Sequence, residues 1–230
     1  MNGILKKVLT YFVLPIVIIA LVFFIYESIM APVKFNKQMN YRESVGIQRL
    51  KDIRTLEVAY KSVNNRFTAS MDTLIDFYNT GKMKVIMQVG SRDDSAAVAN
   101  TEKIKKAKRG ITPDQLYKMY KNGEDLVFSI SSEIPVRDTL FRTRKNFSVD
   151  SLRTIPFSGG DPVETNAIIK KVSGVDVPLF EASMPYKLLL KGLDNQLRIN
   201  VDAKRIDQNR YPGLQVGSIT APNNNAGNWE

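Results

Sequence analysis

The 230-residue chain contains no cysteine and no histidine. Without cysteine there is neither a disulfide framework nor a thiolate metal site, and the redox compartment leaves no mark on the sequence. Without histidine the usual zinc ligand sets, the Ser-His and Cys-His nucleophile pairs and the commonest general base near neutral pH are gone too. The adjacent acids Asp93 and Asp94 point apart and precede no EF-hand spacing, so they read as solvated loop residues. Gly159-Gly160 is followed by no helix start carrying Lys and Ser or Thr in Walker spacing, and reads as a turn. Carboxylates, Lys, Ser and Tyr remain, but no spacing gathers them into one site. The expectation is a protein that is not an enzyme, with no catalytic residue, no metal and no cofactor.

Charge is lopsided instead: 33 basic residues face 23 acidic ones, a formal net charge of +10. The densest basic run is Lys103, Lys105, Lys106, Lys108 and Arg109, offset by Glu102. Aromatic side chains do not interleave with it and neither a helix-turn-helix nor an RNA-binding motif surrounds it, so nucleic acid is not an expected partner. A solvated helix or loop face is one reading of this run. Contact with lipid headgroups or another anionic ligand is its functional competitor.

What the sequence does have is an apolar run. From Val8 to Tyr26 (VLTYFVLPIVIIALVFFIY) no side chain is charged. As a helix at about 1.5 Å per residue it would reach roughly 28 Å, close to the hydrocarbon thickness of a bilayer. A signal peptide has a shorter apolar core and a small-x-small cleavage site, whereas Glu27 to Pro32 offers no such pair. The expectation is an uncleaved anchor over 8–30 behind a short basic tail, 1–7, with a bend at Pro15. Tyr11 and Tyr26, with Lys6 and Lys7, suit the two interfaces. Lys6, Lys7 and the amino terminus nearly balance Lys34, Lys37 and Arg42; the short leading tail favours an inside amino terminus and an outside head.

Ala31-Pro32 is expected to interrupt the anchor helix, though Val33 to Asn40 could continue it as a kinked helix, and 31–64 reads as an amphipathic stalk helix into which the anchor continues. Its apolar stripe is Ile47, Leu50, Ile53, Leu56, Tyr60 and Val63, recurring at intervals of three or four. Such a stripe packs on its own head or on another copy, and periodicity does not choose. Residues 65–220 read as one α+β head. Ser70 caps a helix over Met71 to Asn79 that Gly81 stops, and Thr112-Pro113-Asp114-Gln115 is a capping box opening a third helix. Gly90 to Asn100 reads as a flexible loop. Strands are expected over Lys84–Val89, Leu126–Ser131, Ile134–Phe141, Val163–Val172, Val175–Ala182 and Leu214–Ile219, mainly antiparallel, with a hairpin turn at Ser173-Gly174. Pro156, Pro178 and Pro185 belong at strand ends, edges or bulges. Leu188 to Leu190 reads as a short helix or strand, Asn200 to Asn209 as a helical turn, and 221–230 as an exposed flexible tail, in which Trp229 either docks or stays free.

The order of apolar helix, amphipathic continuation (45–62), Asn65-Arg66-Phe67-Thr68 and a β-rich head resembles type IV pilins and pseudopilins. Those families carry a glutamate five residues into the apolar run, which this chain does not have. Bitopic scaffold subunits of secretion or pilus machines share the layout without that motif. Val45 to Leu74, Pro135 to Phe141 and Tyr211 to Gly217 are also similar to a group of anchored proteins from Bacteroidota. The resemblance implies a single-pass bacterial inner-membrane protein with a periplasmic head. It would act as a structural or scaffold subunit, with the membrane and copies of itself or other envelope-assembly subunits as partners. The alternative is a membrane-tethered module that binds an anionic ligand through the basic run.

Overall fold

The computed structural model describes residues 9–230; the basic tail 1–7, with Lys6 and Lys7, and Val8 lie outside the described residues. The fold is α+β, a long apolar N-terminal helix followed by antiparallel sheets and short helices. Packing groups the chain into two compact units. One comprises the described residues up to Arg54 with Ser151–Glu230, the other Thr55–Asp150.

A π-helical turn, Leu9–Val13, leads into helix α1, Leu14–Asn64. Pro15 brings no N–H to the Tyr11 carbonyl and its ring crowds that oxygen, so the distortion expected there takes the form of a widened turn. Pro32 does not interrupt the helix as expected, for α1 runs through it unbroken. One lost bond, costing about 3 kcal/mol, is tolerated where the following turns are packed: Phe35 is buried and Met39 half-buried. Leu9 to Ile29 are all exposed. Among the described residues this is one helix long and apolar enough to cross a membrane.

In the unit Thr55–Asp150, α1 ends beside helix α2, Met71–Thr80, with Tyr60 edge-on to Phe77 at 5.3 Å. Strand β1, Lys82–Val89, pairs antiparallel with β2, Phe128–Pro135, as a two-stranded ribbon. Part of the expected loop is helical: Asp94 accepts from the amides of Ala96 and Ala97 and starts α3, Ser95–Ala107. An alanine-rich stretch behind a good N-cap favours that outcome. Helix α4, Pro113–Lys121, opens with the expected capping box. Val89, Leu116, Leu126 and Phe128 form a small core at this end. The expected strand over Ile134–Phe141 is instead the end of β2 followed by a single helical turn, α5, Val136–Thr139. Pro135 cannot continue a ladder, but its fixed φ suits a helix entry.

In the other unit β3 (Glu164–Val172), β4 (Val175–Pro185) and β5 (Gly213–Gly217) form an antiparallel sheet in that order. Ser173 and Gly174 both take positive φ, 51° and 86°, the two-residue turn whose twist matches the strands. Pro178 lies opposite Ile169, where β4 has outrun β5, and Pro185 closes the strand. Both satisfy the rule that proline avoids a ladder with neighbours on both sides. Helix α6, Tyr186–Leu189, and helix α7, Asn195–Asp207, follow β4. The latter is longer than the turn expected from Asn200 because Asp194 caps it, accepting from the Leu197 amide at 2.8 Å.

The tail is not free as expected. The Asn228 amide donates to the Gln215 carbonyl at 2.9 Å, the Gly217 amide to the Ala226 carbonyl at 3.0 Å, and Gly227 bridges Val216. Asn228 also accepts from Gln215 N–H and donates to Gly213. The segment covers the edge of β5, a role carried by backbone groups and therefore lacking side-chain periodicity.

Candidate functional site

The stalk stripe sinks into the protein itself. Leu50 and Ile53 are fully buried in one unit, and Leu56 and Tyr60 are buried in the other; Ile47 is half-buried and Val63 exposed. Gly46 belongs to this packing, since a Cβ there would lie 2.8 Å from Leu214 Cδ1 and 3.4 Å from Leu189. Four of the six stripe residues are thus core, while Val63 is left on the surface.

Beside the stripe the helix carries polar anchors that sequence reasoning missed. Arg42 donates to the carbonyls of Leu189 and Lys191, at 3.2 and 2.8 Å, where α6 ends and its carbonyls lack helical partners. Its guanidinium also stacks 4.8 Å from the Phe157 ring centre. The next residue, Glu43, accepts from the hydroxyl of Tyr186, a side chain with no solvent exposure. Arg205 completes the cluster, 3.8 Å from Glu43, over the Tyr186 ring, and donating to the Gly213 carbonyl. Burial, then the bond to Glu43, pushes the Tyr186 phenol well up, so it is a neutral donor throughout the physiological range. On α7, Arg198 pairs with Asp202, whose Oδ1 is buried without a hydrogen-bond partner, and burial raises that carboxyl. These groups fix α6 and α7 to α1. Glu43 and Tyr186 lie too far apart in sequence for any local pattern to show them.

The basic run is placed simply. Lys103, Lys105 and Lys106 lie on the later turns of α3, Lys108 and Arg109 just beyond, and all five are exposed. Lys105 and Lys106 sit where cations complement the helix dipole. Asp93 and Asp94 are exposed, and Asp94 is spent as a cap.

No family model, curated protein or solved structure matches the chain. Among the described residues no group of three or more acids could hold a metal ion. The carboxyl most displaced from its ordinary range is Glu57. It is 2% exposed and pushed up to about 8 by burial, against the opposing bond from the Thr68 amide. It closes the turn after α1, where Phe67 is buried. Tyr186 and Asp202 thus share the cluster around Arg205 in one unit, and Glu57 belongs to the other.

Proposed function

We propose that this is a noncatalytic single-pass envelope protein, a structural or scaffold subunit with its amino terminus inside the cytoplasmic membrane and the parts after α1's apolar run outside. One observation carries the reading. The helix whose first part is apolar and wholly exposed continues without a break to Asn64, where its later turns are core. A rigid mount of this kind fixes what packs on it relative to a bilayer, whereas a tethered enzyme or binding module works on a flexible linker just as well. The engagement of Glu43, Tyr186, Arg205 and Glu57 in packing supports a structural role for these polar groups.

The test is photo-crosslinking in native membranes from exposed apolar positions, Val58, Ile86 and Val175, read by mass spectrometry. Adducts to further copies or to other envelope subunits are expected. Exclusive recovery of uncross-linked monomer from every position would overturn the scaffold reading. Ser95→Cys and Lys171→Cys variants in intact cells report sidedness: labelling by an impermeant maleimide is expected, and protection of both would reverse the orientation.

A further inference from the structure

Helix α7 is built inside out. Its inward positions carry Arg198, Asp202 and Arg205, half-buried and ion-paired, with Leu197 and Val201 beside them. Ile199, Ala203 and Ile206, spaced to share one face, are exposed among the polar Gln196, Asn200, Lys204 and Asp207, the two isoleucines at 41% and 57%. A surface helix of a globular protein shows the opposite arrangement, with its apolar stripe inside.

The place of α7 along α1 supplies the reason. The covered face of α1 runs as Gly46, Arg42, Met39, Phe35 and Pro32, all buried or half-buried, while from Leu9 to Ile29 every residue is exposed. The unit therefore meets α1 right down to the end of the apolar run, Pro32 standing only about 9 Å beyond Tyr26 on the helix axis. Other segments of the same unit attach higher: Thr154 at Arg49, and Asn225 with Glu230 at Arg54. The chain enters α7 just after Lys191, held at Arg42, and α7 is held near its end by Arg205 at Glu43. Leu214 lies against Gly46, while Gly217 bonds Ala226 beside the Asn225 held at Arg54, so β5 runs from the Gly46 level toward the Arg54 level and α7, held at Glu43, is at the opposite end. Lys34, which pairs with Glu27 at 3.8 Å, Lys37 and Lys204, next to Arg205, are exposed.

We propose that α7 lies in the headgroup layer of the bilayer that α1 crosses, with Ile199 and Ile206 set into the acyl boundary and Lys34, Lys37 and Lys204 toward anionic headgroups. This rests on the reading of the apolar run as a membrane span. Interfacial helices of this type bury their apolar face about 5–10 Å into the headgroup and acyl boundary. The polar inward face is paired, Glu43 and Tyr186 receiving Arg205 and Asp202 receiving Arg198. The contact holds α1 at a fixed tilt, which a single helix alone does not specify.

The native chain has no cysteine, so single probes can be placed cleanly. Full-length Ile18→Cys, Ile199→Cys, Ile206→Cys and Val175→Cys variants carry an environment-sensitive fluorophore in vesicles of phosphatidylcholine with phosphatidylglycerol. Quenching is compared for lipids spin-labelled near the headgroup or deep in the chain. Expected is strong quenching at 18 by the deep label, stronger quenching at 199 and 206 by the shallow label than by the deep one, and none at 175. Quenching at 18 with none at 199 and 206 would overturn the proposal and leave the membrane span standing. So would a blue-shifted but unquenched signal at 199 and 206, the mark of a protein partner on this face. Absence of quenching at 18 would remove the span itself, and the proposal with it. All four positions are exposed, so the substitutions leave the core intact.

Discussion

Replacing Glu57 by glutamine should change how stability depends on pH. Glu57 is 2% exposed and its carboxyl is raised from an ordinary 4.5 to about 8, chiefly by burial. Between those values the folded protein holds a proton that the unfolded chain releases. The contribution is thus fully present below pH 4.5 and is lost as pH rises toward 8, at about 1.4 kcal/mol per pH unit. At pH 7 the native residue has forfeited about 3 kcal/mol on this reckoning. The glutamine side chain keeps an oxygen for the Thr68 amide and carries no charge, so Glu57→Gln should match the native protein near pH 4.5 and pull ahead steadily above it. Hydrogen exchange of residues 57–70 in the full chain in detergent micelles, corrected for intrinsic rates, reads the local opening free energy at each pH. Parallel profiles for the two proteins from pH 4.5 to 8 would refute the reasoning, since they would mean that Glu57 titrates as an exposed acid does.

Other perturbations address the packing. Leu50→Ala removes a side chain with no solvent exposure and should cost about 2–5 kcal/mol, whereas Val58→Ala, at an exposed position of the same helix, should stay within about 0.5 kcal/mol; thermal unfolding of the two decides whether the stripe is core. Tyr186→Phe strands the Glu43 carboxylate beside Arg205 and should lose about 1–3 kcal/mol, visible as a lowered denaturation midpoint; an unchanged midpoint would show that the hydroxyl contact does not hold α6 to α1. Asn228→Ala deletes the side-chain bonds to Gln215 and Gly213 and should speed amide exchange at Gln215 and Gly217, while unaltered protection would mean that the tail is dispensable to β5.

Much of the local structure could be read directly. The capping residues Ser70 and Thr112 carried their helices, because an N-cap acts within four residues of itself. The hairpin at Ser173-Gly174 was equally plain, its turn chemistry needing no distant partner. The periodic stripe from Ile47 announced a helix, yet its destination was open, since core and interface demand the same spacing. Of the groups around Glu43 almost nothing was visible. Tyr186 and Arg205 meet that carboxylate through a fold that joins distant segments. The outward isoleucines of α7 were hidden for a related reason: in sequence they alternate with Arg198, Asp202 and Arg205, and only packing reveals that the charges are the inner face.

By itself the sequence determined an uncharged run long enough to span a bilayer, an amphipathic continuation and an α+β remainder without the residues of common metal and nucleophile chemistry. Composition and short-range spacing suffice for these, because hydrophobic length, capping and turn geometry are local properties of the chain. Only the tertiary structure decided that α1 passes through Pro32, that its stripe is core, that the tail closes the edge of β5 and that α7 turns its isoleucines outward. Each depends on what a residue meets across the fold. A backbone group or a side chain has no sequence signature for a partner a hundred residues away, and burial, which settles the role of both, exists only once the chain has packed.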